Sequence, residues 1–455
     1  MPERPARRET AGPFYEHVKH ERWHVRRMKT IWLQFGRERR DVRAAGFLDR
    51  AWRKFRLATP ALTFALSIGV NSAIFPAVAF AASGTALEVR VHPADYVYSY
   101  PVDEQRGSYS AVVQNVAVWS PGATCTLNTI DVQALRGGQP KLTLTLTASD
   151  LDNAARRFWS MSQQGALKRY DFYFQTSRFL PDNVKFAKTR TVEPGSAIVV
   201  RSIPMVFDGT VDEIAVTARG TTVDGGPAQA TTSLKVKRYR SPNDYHLPVT
   251  GTWYVACAPY PALQSHHRWS VSQEFAIDLD RLGSNSRTHT GQGAKLTEYD
   301  GYGKDVMAAA DGTVVEAHDG APESDSNLRQ PGESKQHHQA RWQAQQNALL
   351  EAGYLEAFGN YVVIRHSGEE FSTYAHLRTG SVKVKKGDLV KRGQVIGQLG
   401  HSGNSTSPHL HFQVTDGPDP AYSRSIPVVF GNVYVEILGY EGVPLQSGWI
   451  VTAQP

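Results

Sequence analysis

The sequence predicts a mainly β protein built from two successive β domains. Short runs of alternating apolar and polar residues, separated by turn residues, recur over residues 84–245. A second series of such runs extends over residues 247–451, and one insertion, residues 319–358, interrupts it with a helix-like second part, residues 335–358. Because successive side chains of a strand point to opposite faces, this two-residue period is typical of half-buried strands.

The chain begins with a basic leader. Residues 1–57 carry 16 Lys and Arg against 7 Asp and Glu, a net charge of +9. The whole chain carries +7, which leaves −2 for the remaining residues. A nearly neutral body does not offer the basic groove that nucleic acid requires, so we expect no nucleic-acid partner.

An uncharged segment, residues 57–82, follows the basic flank and ends in small residues at A-x-A spacing. This combination is typical of a secretory signal peptide, although the segment is also long enough to anchor the chain in a bilayer. We therefore interpret residues 1–83 as a leader with a signal peptide or membrane anchor, with Met28 as an alternative start. The protein is expected to be exported to the periplasm or cell envelope, either anchored through this segment or secreted.

Residues 84–240 are predicted to form a β-sandwich-like module. Its clearest strands are residues 87–91, 110–116, 142–146, 197–200 and 213–216. Evenly spaced short strands between turns are typical of a sandwich, and the less regular region after residue 151 is predicted to hold a short helix. Because no catalytic pattern occurs here, we expect a spacer or binding module that offers a surface for a protein partner.

A linker over residues 238–245 leads into the second domain, residues 246–430, and residues 431–455 are predicted to form a C-terminal strand extension. Within the second domain, residues 319–358 form an insertion. Its first part is polar and contains two prolines, whereas its second part is rich in Gln, Ala, Leu and Glu without proline. This composition indicates a loop followed by a helix inside an otherwise β domain.

The chemistry of the chain is concentrated at His409-Leu410-His411. In a strand, residues 409 and 411 project to the same face while Leu410 turns toward the core. The preceding residues 400–408 are rich in Gly, Ser, Asn and Pro. Such a loop delivers the strand abruptly from a turn, as a site on a rigid scaffold requires.

Other histidines and one carboxylate are candidate partners of this pair. Asp278 lies in an apolar strand, where a lone carboxylate is costly unless it is paired or bound to a cation. Imidazole nitrogen and carboxylate oxygen are typical zinc ligands, and a catalytic zinc keeps three protein ligands and one open position. The candidate set is His266 or His267, Asp278, His376, His409 and His411. Hydrolysis of an amide is the natural chemistry of such a site.

Several motifs in order resemble the lysostaphin/LytM-type zinc metallopeptidases over residues 246–430. They include Phe275-Ala276-Ile277-Asp278, Tyr374-Ala375-His376-Leu377 and Ser402-Gly403-x-Ser405-x-x-Pro408-His409-Leu410-His411. The resemblance implies a small antiparallel β domain of the duplicated hybrid motif type, a barrel-sandwich hybrid. It also implies one Zn²⁺ per chain and hydrolysis of peptide bonds in bacterial peptidoglycan cross-bridges.

The resemblance also implies roles for individual residues. Asp278 and His411 would bind zinc, and His376 and His409 would be catalytic. The family's first motif has a histidine four residues before the aspartate, but this chain has Glu274 there. We favour His267 as the third ligand, provided that residues 268–273 form a hairpin; His266 and, more weakly, Glu274 are the alternatives.

Two other functions and one question of pairing stay open from the sequence. If no histidine reaches the metal, the domain is a catalytically inactive module that binds the wall or activates a hydrolase. The glycine-punctuated hairpin at residues 387–397 is also similar to lipoyl carrier or phosphotransfer domains, which would have no need of His409 and His411. Cys125 and Cys257 either form a disulfide or remain two buried thiols.

Overall fold

The structure, a computed structural model, describes residues 86–103, 106–181, 183–435 and 444–454, together with the backbone of residues 440–441. The expected leader, residues 1–83, lies outside the described residues. Within the described ranges, no helix is long and apolar enough to cross a membrane. Strands dominate the described chain, so the predicted mainly β fold class is confirmed.

The first half of the described chain forms two packed sheets. Its strands are β1 (Glu88–His92), β2 (Tyr96–Tyr98), β3 (Tyr100–Asp103), β4 (Ser108–Trp119), β5 (Cys125–Arg136), β6 (Gln139–Leu146), β7 (Lys185–Phe186), β8 (Thr191–Val192), β9 (Ser196–Asp208), β10 (Glu213–Thr222) and β11 (Pro227–Lys237). One sheet has the order β1-β4-β9-β7 with β3 on β4, and the other β2-β11-β10-β5-β6 with β8 on β5. Inward-facing residues of both sheets, such as Val116 and Ile214, share one core.

Short helices connect β6 to β7. They are α1 (Ala148–Gln163), α2 (Ala166–Arg169) and α3 (Asp171–Phe174), followed by a 3-10 turn, Thr176–Arg178. Thr147 begins α1 because its hydroxyl accepts from the amide of Asp150, whose carboxylate accepts from the amide of Thr147. This reciprocal capping box pairs two amides that the helix itself leaves free. The buried face of α1 packs through Phe158 against apolar residues of β9.

The second half forms one ten-stranded sheet and a separate strand pair. Its strands are β12 (Gly251–Cys257), β13 (Ile277–Arg281), β14 (Asp305–Met307), β15 (Gly312–His318), β16 (Asn360–Arg365), β17 (Phe371–Leu377), β18 (Leu389–Val390), β19 (Val395–Gln398), β20 (Leu410–Thr415), β21 (Val433–Val435), β22 (Tyr440–Glu441) and β23 (Ile450–Ala453). The order is β18-β15-β16-β17-β20-β13-β12-β23-β21-β22, with β14 paired to β19. Strands after residue 430 therefore extend the sheet that contains β13 and β20.

The insertion contains the predicted helix. A 3-10 turn, Asp325–Asn327, precedes α4 (Lys335–Ala352), and a second 3-10 helix, Tyr354–Phe358, leads into β16. The hydroxyl of Ser334 accepts from the amide of His337 and so caps the start of α4. The prediction of one helix to residue 358 was slightly too long, because Gly353 separates α4 from the 3-10 helix.

Candidate metal centre

Two neighbouring strands at the centre of the large sheet bring Asp278 and His411 together. Strand β13 pairs with β20 so that Asp278 lies directly opposite His411. Directly opposed residues of an antiparallel pair project to the same face. The Nδ1 atom of His411 lies 3.1 Å from Oδ1 of Asp278, and both side chains are buried. Leu410 and Phe412 point to the opposite face and join the core, as the alternation predicted.

His267 reaches the same carboxylate from a loop. The predicted hairpin is wrong: His267–Trp269 is a short 3-10 helix, and residues 268–273 do not form paired strands. Nevertheless, Nε2 of His267 lies 2.9 Å from Oδ2 of Asp278, on the other oxygen from His411. Nε2 of His266 lies 3.6 Å from the same oxygen, but its side chain is 61% exposed. The buried Glu274 lies 3.4 Å from the guanidinium of Arg268 instead.

The hydrogen bonds of His411 define its tautomer. Its Nε2 lies 3.0 Å from Oε1 of Gln413. The amide nitrogen of Gln413 donates to the carbonyl of Pro420, so its oxygen is the atom that faces the imidazole. His411 therefore donates from Nε2, and when the ring is neutral this leaves the lone pair of Nδ1 directed at Asp278. A lone pair that faces a buried carboxylate is repulsive unless a cation or a proton lies between them.

His376 and His409 present their Nε2 atoms to the same space. Nδ1 of His376 donates to the carbonyl of Ser402 at 2.9 Å, and Nδ1 of His409 donates to the carbonyl of Ser407 at 2.7 Å. Because a carbonyl only accepts, Nε2 of each neutral ring keeps a free lone pair. The two rings lie 4.8 Å apart between centroids, and Nε2 of His409 lies 3.8 Å from Asp278.

The backbone and electrostatics around these side chains are unusual. His376 has a φ of 61°, in the left-handed region that a residue other than glycine seldom adopts and that clusters at functional sites. Burial opposes ionisation of Asp278, but His267, His411 and His409 together hold the pKa of its carboxyl well below the usual value. Burial, with the nearby His409 and His411, holds the pKa of His376 well below its usual range. These shifts favour an ionised Asp278 and a neutral His376.

The β-sandwich-like module holds the loop that carries His267. Nε2 of Gln114, a buried residue of β4, donates to the carbonyl of Arg268 at 2.7 Å. The guanidinium of Arg201, on β9, donates to the carbonyl of Trp269. These two carbonyls follow His267 directly in sequence, so the position of this candidate ligand depends on contacts with the preceding module.

The insertion borders the site at both of its ends. The ring of Phe358, in the final 3-10 helix, lies 6.2 Å from the ring of His411. At the other end, the carboxylate of Glu323 accepts from the amides of His401 and Thr379, in the loops that lead to His409 and follow His376. The insertion therefore lies beside the candidate site, where it is placed to restrict access to it.

Sequence reasoning missed two residues of this centre. Gln413 lies two positions after His411 on the same face of β20, so the two-residue period could have identified it. Cys257 lies near the metal candidates: one potential ligand atom each from Cys257, His266, His267 and Asp278 lie within 4.8 Å of one another. Neither cysteine forms a disulfide, and both are buried.

Comparison with known proteins identifies the second half of the chain. Residues 344–421, which include His376, His409 and His411, match the family described as "Peptidase family M23". This segment of the chain is therefore similar to the M23 peptidases. The matched residues begin within α4, so they include neither His267 nor Asp278. The assignment of these two residues therefore depends on the geometry described above.

Curated relatives resemble this chain over the same short length. The peptidoglycan DD-endopeptidase ShyC of Vibrio cholerae is 43% identical over 72 residues, which are 16% of either chain. Lysostaphin of Staphylococcus staphylolyticus is 46% identical over 67 residues, 14% of either chain. The match thus spans about one sixth of the length of the curated relatives. The solved catalytic domain of lysostaphin from Staphylococcus simulans is 20% identical, with a TM-score of 0.22, over 39% of this chain and 88% of that one.

Proposed function

We propose that residues 246–430 form a zinc-dependent endopeptidase that hydrolyses peptide bonds of peptidoglycan cross-bridges. In this proposal His267, Asp278 and His411 bind one zinc ion per chain. The observation that carries it is the lone pair of His411 Nδ1 directed at the buried Asp278 carboxylate, 3.1 Å away. Two imidazoles on the two oxygens of one carboxylate are a donor set that zinc accepts. Gln413 completes the arrangement, because metal-binding histidines usually donate their other N–H to a nearby acceptor.

We assign the transfer of protons to two further histidines, His376 and His409. When bound, zinc polarises a carbonyl and lowers the pKa of a bound water toward neutrality. His376 and His409 are held by carbonyls at Nδ1, so each directs an unprotonated Nε2 into the site. One ring accepts a proton from the attacking water and the protonated ring then donates to the developing oxyanion or to the leaving amine. Burial and the nearby His409 and His411 lower the pKa of His376, which keeps its ring neutral before a proton is transferred.

The substrate class rests on the relatives. ShyC is named for cleavage of peptidoglycan, and the M23 match includes His376, His409 and His411 of this chain. A substrate in the cell wall requires export, so we propose that the protein acts in the periplasm or envelope. Association with the membrane would occur only through the N-terminal segment.

We further propose the domain division predicted from the sequence. The module of residues 84–240 is one unit and residues 246–430 are the peptidase, with residues 431–455 as an extension of its sheet. The module positions the loop that bears His267, and its other surfaces are proposed to bind a protein partner.

Hydrolysis of cross-linked muropeptides by the purified protein tests this function. Activity should disappear after removal of metal by a chelator and return with added zinc, and Asp278→Asn should abolish it. Protein that is folded but neither binds zinc nor cleaves would instead be a non-catalytic wall-binding or activating module.

A further inference from the structure

The thiol of Cys257 lies on the same face of the sheet as the candidate metal ligands. Strand β12 pairs with β13 so that Cys257 lies opposite Asp278, which directs both side chains to one side. Sγ of Cys257 lies 3.5 Å from Nδ1 of His266 and 3.3 Å from the hydroxyl of Ser265. The residue is 4% exposed.

The surroundings of Cys257 differ from those of a core cysteine. Cys125, the other cysteine of the chain, belongs to the apolar core of the β-sandwich-like module. Cys257 instead faces a hydroxyl, an imidazole and a carboxylate. A structural thiol usually behaves as a small apolar group, so a polar environment of this kind is more typical of a ligand.

The environment of His267, which the catalytic position and this position would share, also indicates a metal. His267 is 3% exposed, and neither of its ring nitrogens forms a hydrogen bond within the described structure. Nε2 lies 2.9 Å from Oδ2 of the buried Asp278 carboxylate, the oxygen that His266 approaches to 3.6 Å. A buried polar group without a partner costs about 1–3 kcal/mol. A cation bound by the His267 imidazole and the Asp278 carboxylate removes this cost.

We propose that Cys257 and His266 form, with His267 and Asp278, a closed zinc position adjacent to the catalytic one. The four potential ligand atoms lie within 4.8 Å of one another. In a tetrahedral zinc site the donor atoms are about 3.3–3.8 Å apart, so contraction of roughly 1 Å completes the position. His266 is free to make this adjustment because its side chain is 61% exposed.

The two positions share His267 and Asp278 but differ in their consequences. In the catalytic position His411 is the third ligand, and the fourth place stays open. In the closed position Cys257 loses its thiol proton to solvent, its sulfur bonds to zinc, and His266 fills the remaining place. Four protein ligands exclude water from the metal, so this position is a resting state of the enzyme. The inference rests on the proposed function, because it assumes that the centre holds zinc.

Cobalt substitution tests the thiolate ligand directly. Cobalt(II) bound by a thiolate has a charge-transfer band in the near ultraviolet, which nitrogen and oxygen ligands do not give. We expect this band in the cobalt-loaded wild-type protein and in Cys125→Ser, a control at the other cysteine, and we expect its loss in Cys257→Ser. The Cys257→Ser variant should still bind one zinc ion, because the catalytic position remains. Its affinity for zinc should fall by at least about tenfold, which is the smallest loss typical when a group that supports a metal site is removed.

X-ray absorption at the zinc edge of the wild-type protein needs no variant and covers the case in which Cys257→Ser does not fold. It should detect a zinc–sulfur distance of about 2.3 Å. Stoichiometric cobalt or zinc without a sulfur ligand would overturn this inference and leave the proposed enzyme intact. Failure of the wild-type protein to bind either metal would overturn the proposed function itself.

Discussion

Gln114→Leu should weaken zinc binding, although Gln114 lies on β4, far outside the residues that match the M23 family. Its side-chain amide donates at 2.7 Å to the carbonyl of Arg268, the residue after His267. Leucine has a similar volume but no donor, so the buried carbonyl would lose this partner. The loop that carries His267 would then spend part of its time in other conformations, in which His267 does not face Asp278.

The size of the effect follows from the burial of this hydrogen bond. A buried acceptor left without a partner costs about 1–3 kcal/mol. Because Oε1 of Gln114 has no hydrogen-bond partner among the described residues and leucine removes it, a net cost of about 1–2 kcal/mol is expected. If the cost falls on the loop, the dissociation constant for zinc rises by a factor of about 5–30.

Competition with a chromogenic chelator measures this constant, and thermal unfolding of the metal-free protein measures stability separately. Gln133→Leu is the matched control, because Gln133 lies in the same module and donates to Thr143 at an exposed position. If Gln114→Leu lowers stability but leaves the affinity for zinc unchanged, the idea that the module positions the loop that carries His267 is refuted.

Three further predictions concern other parts of the chain. Glu370→Ala should lower the free energy of unfolding by more than about 3 kcal/mol in chemical denaturation, whereas the exposed Glu369→Ala should not. The reason is that the buried Glu370 carboxylate accepts hydrogen bonds from Tyr239, Ser241, Asn243 and Tyr245. Burial lowers the pKa of His366 below 6.5, so below pH 6.5 the unfolded state binds a proton that the folded state does not. Stability should thus be complete above pH 6.5 and decline below it in denaturation at a series of pH values, less steeply in His366→Gln. Replacing α4 by a short glycine-containing turn should raise the rate of cleavage of small peptides, and unchanged kinetics in a folded variant would make the helix peripheral.

The alternation of apolar and polar residues predicted the fold class well. Each strand buries one face, so each strand carries this pattern in its own sequence, whichever strand it pairs with. The runs at 110–116 and 197–200 lie within β4 and β9, and the helix at 335 begins where the composition changes. Which strands pair with each other was harder to predict. Residues 431–455 were predicted to form a strand extension, but their partner was not predicted: β23 pairs with β12, about 200 residues earlier, a contact that no local pattern encodes.

The candidate centre was predictable where it lies on regular strands. Asp278 and His411 face each other because β13 and β20 pair in the register that their two-residue period requires. His267 lies on an irregular loop whose shape depends on Gln114, over 150 residues away. The sequence could therefore predict that His267 approaches Asp278, but not the conformation of its loop. Cys257 was missed because an isolated buried thiol has the same sequence pattern as a core residue.

The zinc content of His409→Ala and His411→Ala tests the central claim most directly. Both imidazoles border one site, but only His411 directs a lone pair from Nδ1 at Asp278, whereas Nδ1 of His409 donates to a carbonyl. Both variants are made in Cys257→Ser, which lacks the closed zinc position that would otherwise hold the ion without His411. Mass spectrometry of the folded proteins should then find near-stoichiometric zinc in His409→Ala and a large loss in His411→Ala. Hydrolysis of cross-linked muropeptides should be lost in both, with a fall of about 10²–10³ in rate for His409→Ala. Equal loss of zinc from the two variants would contradict the assignment, because both histidines would then be ligands.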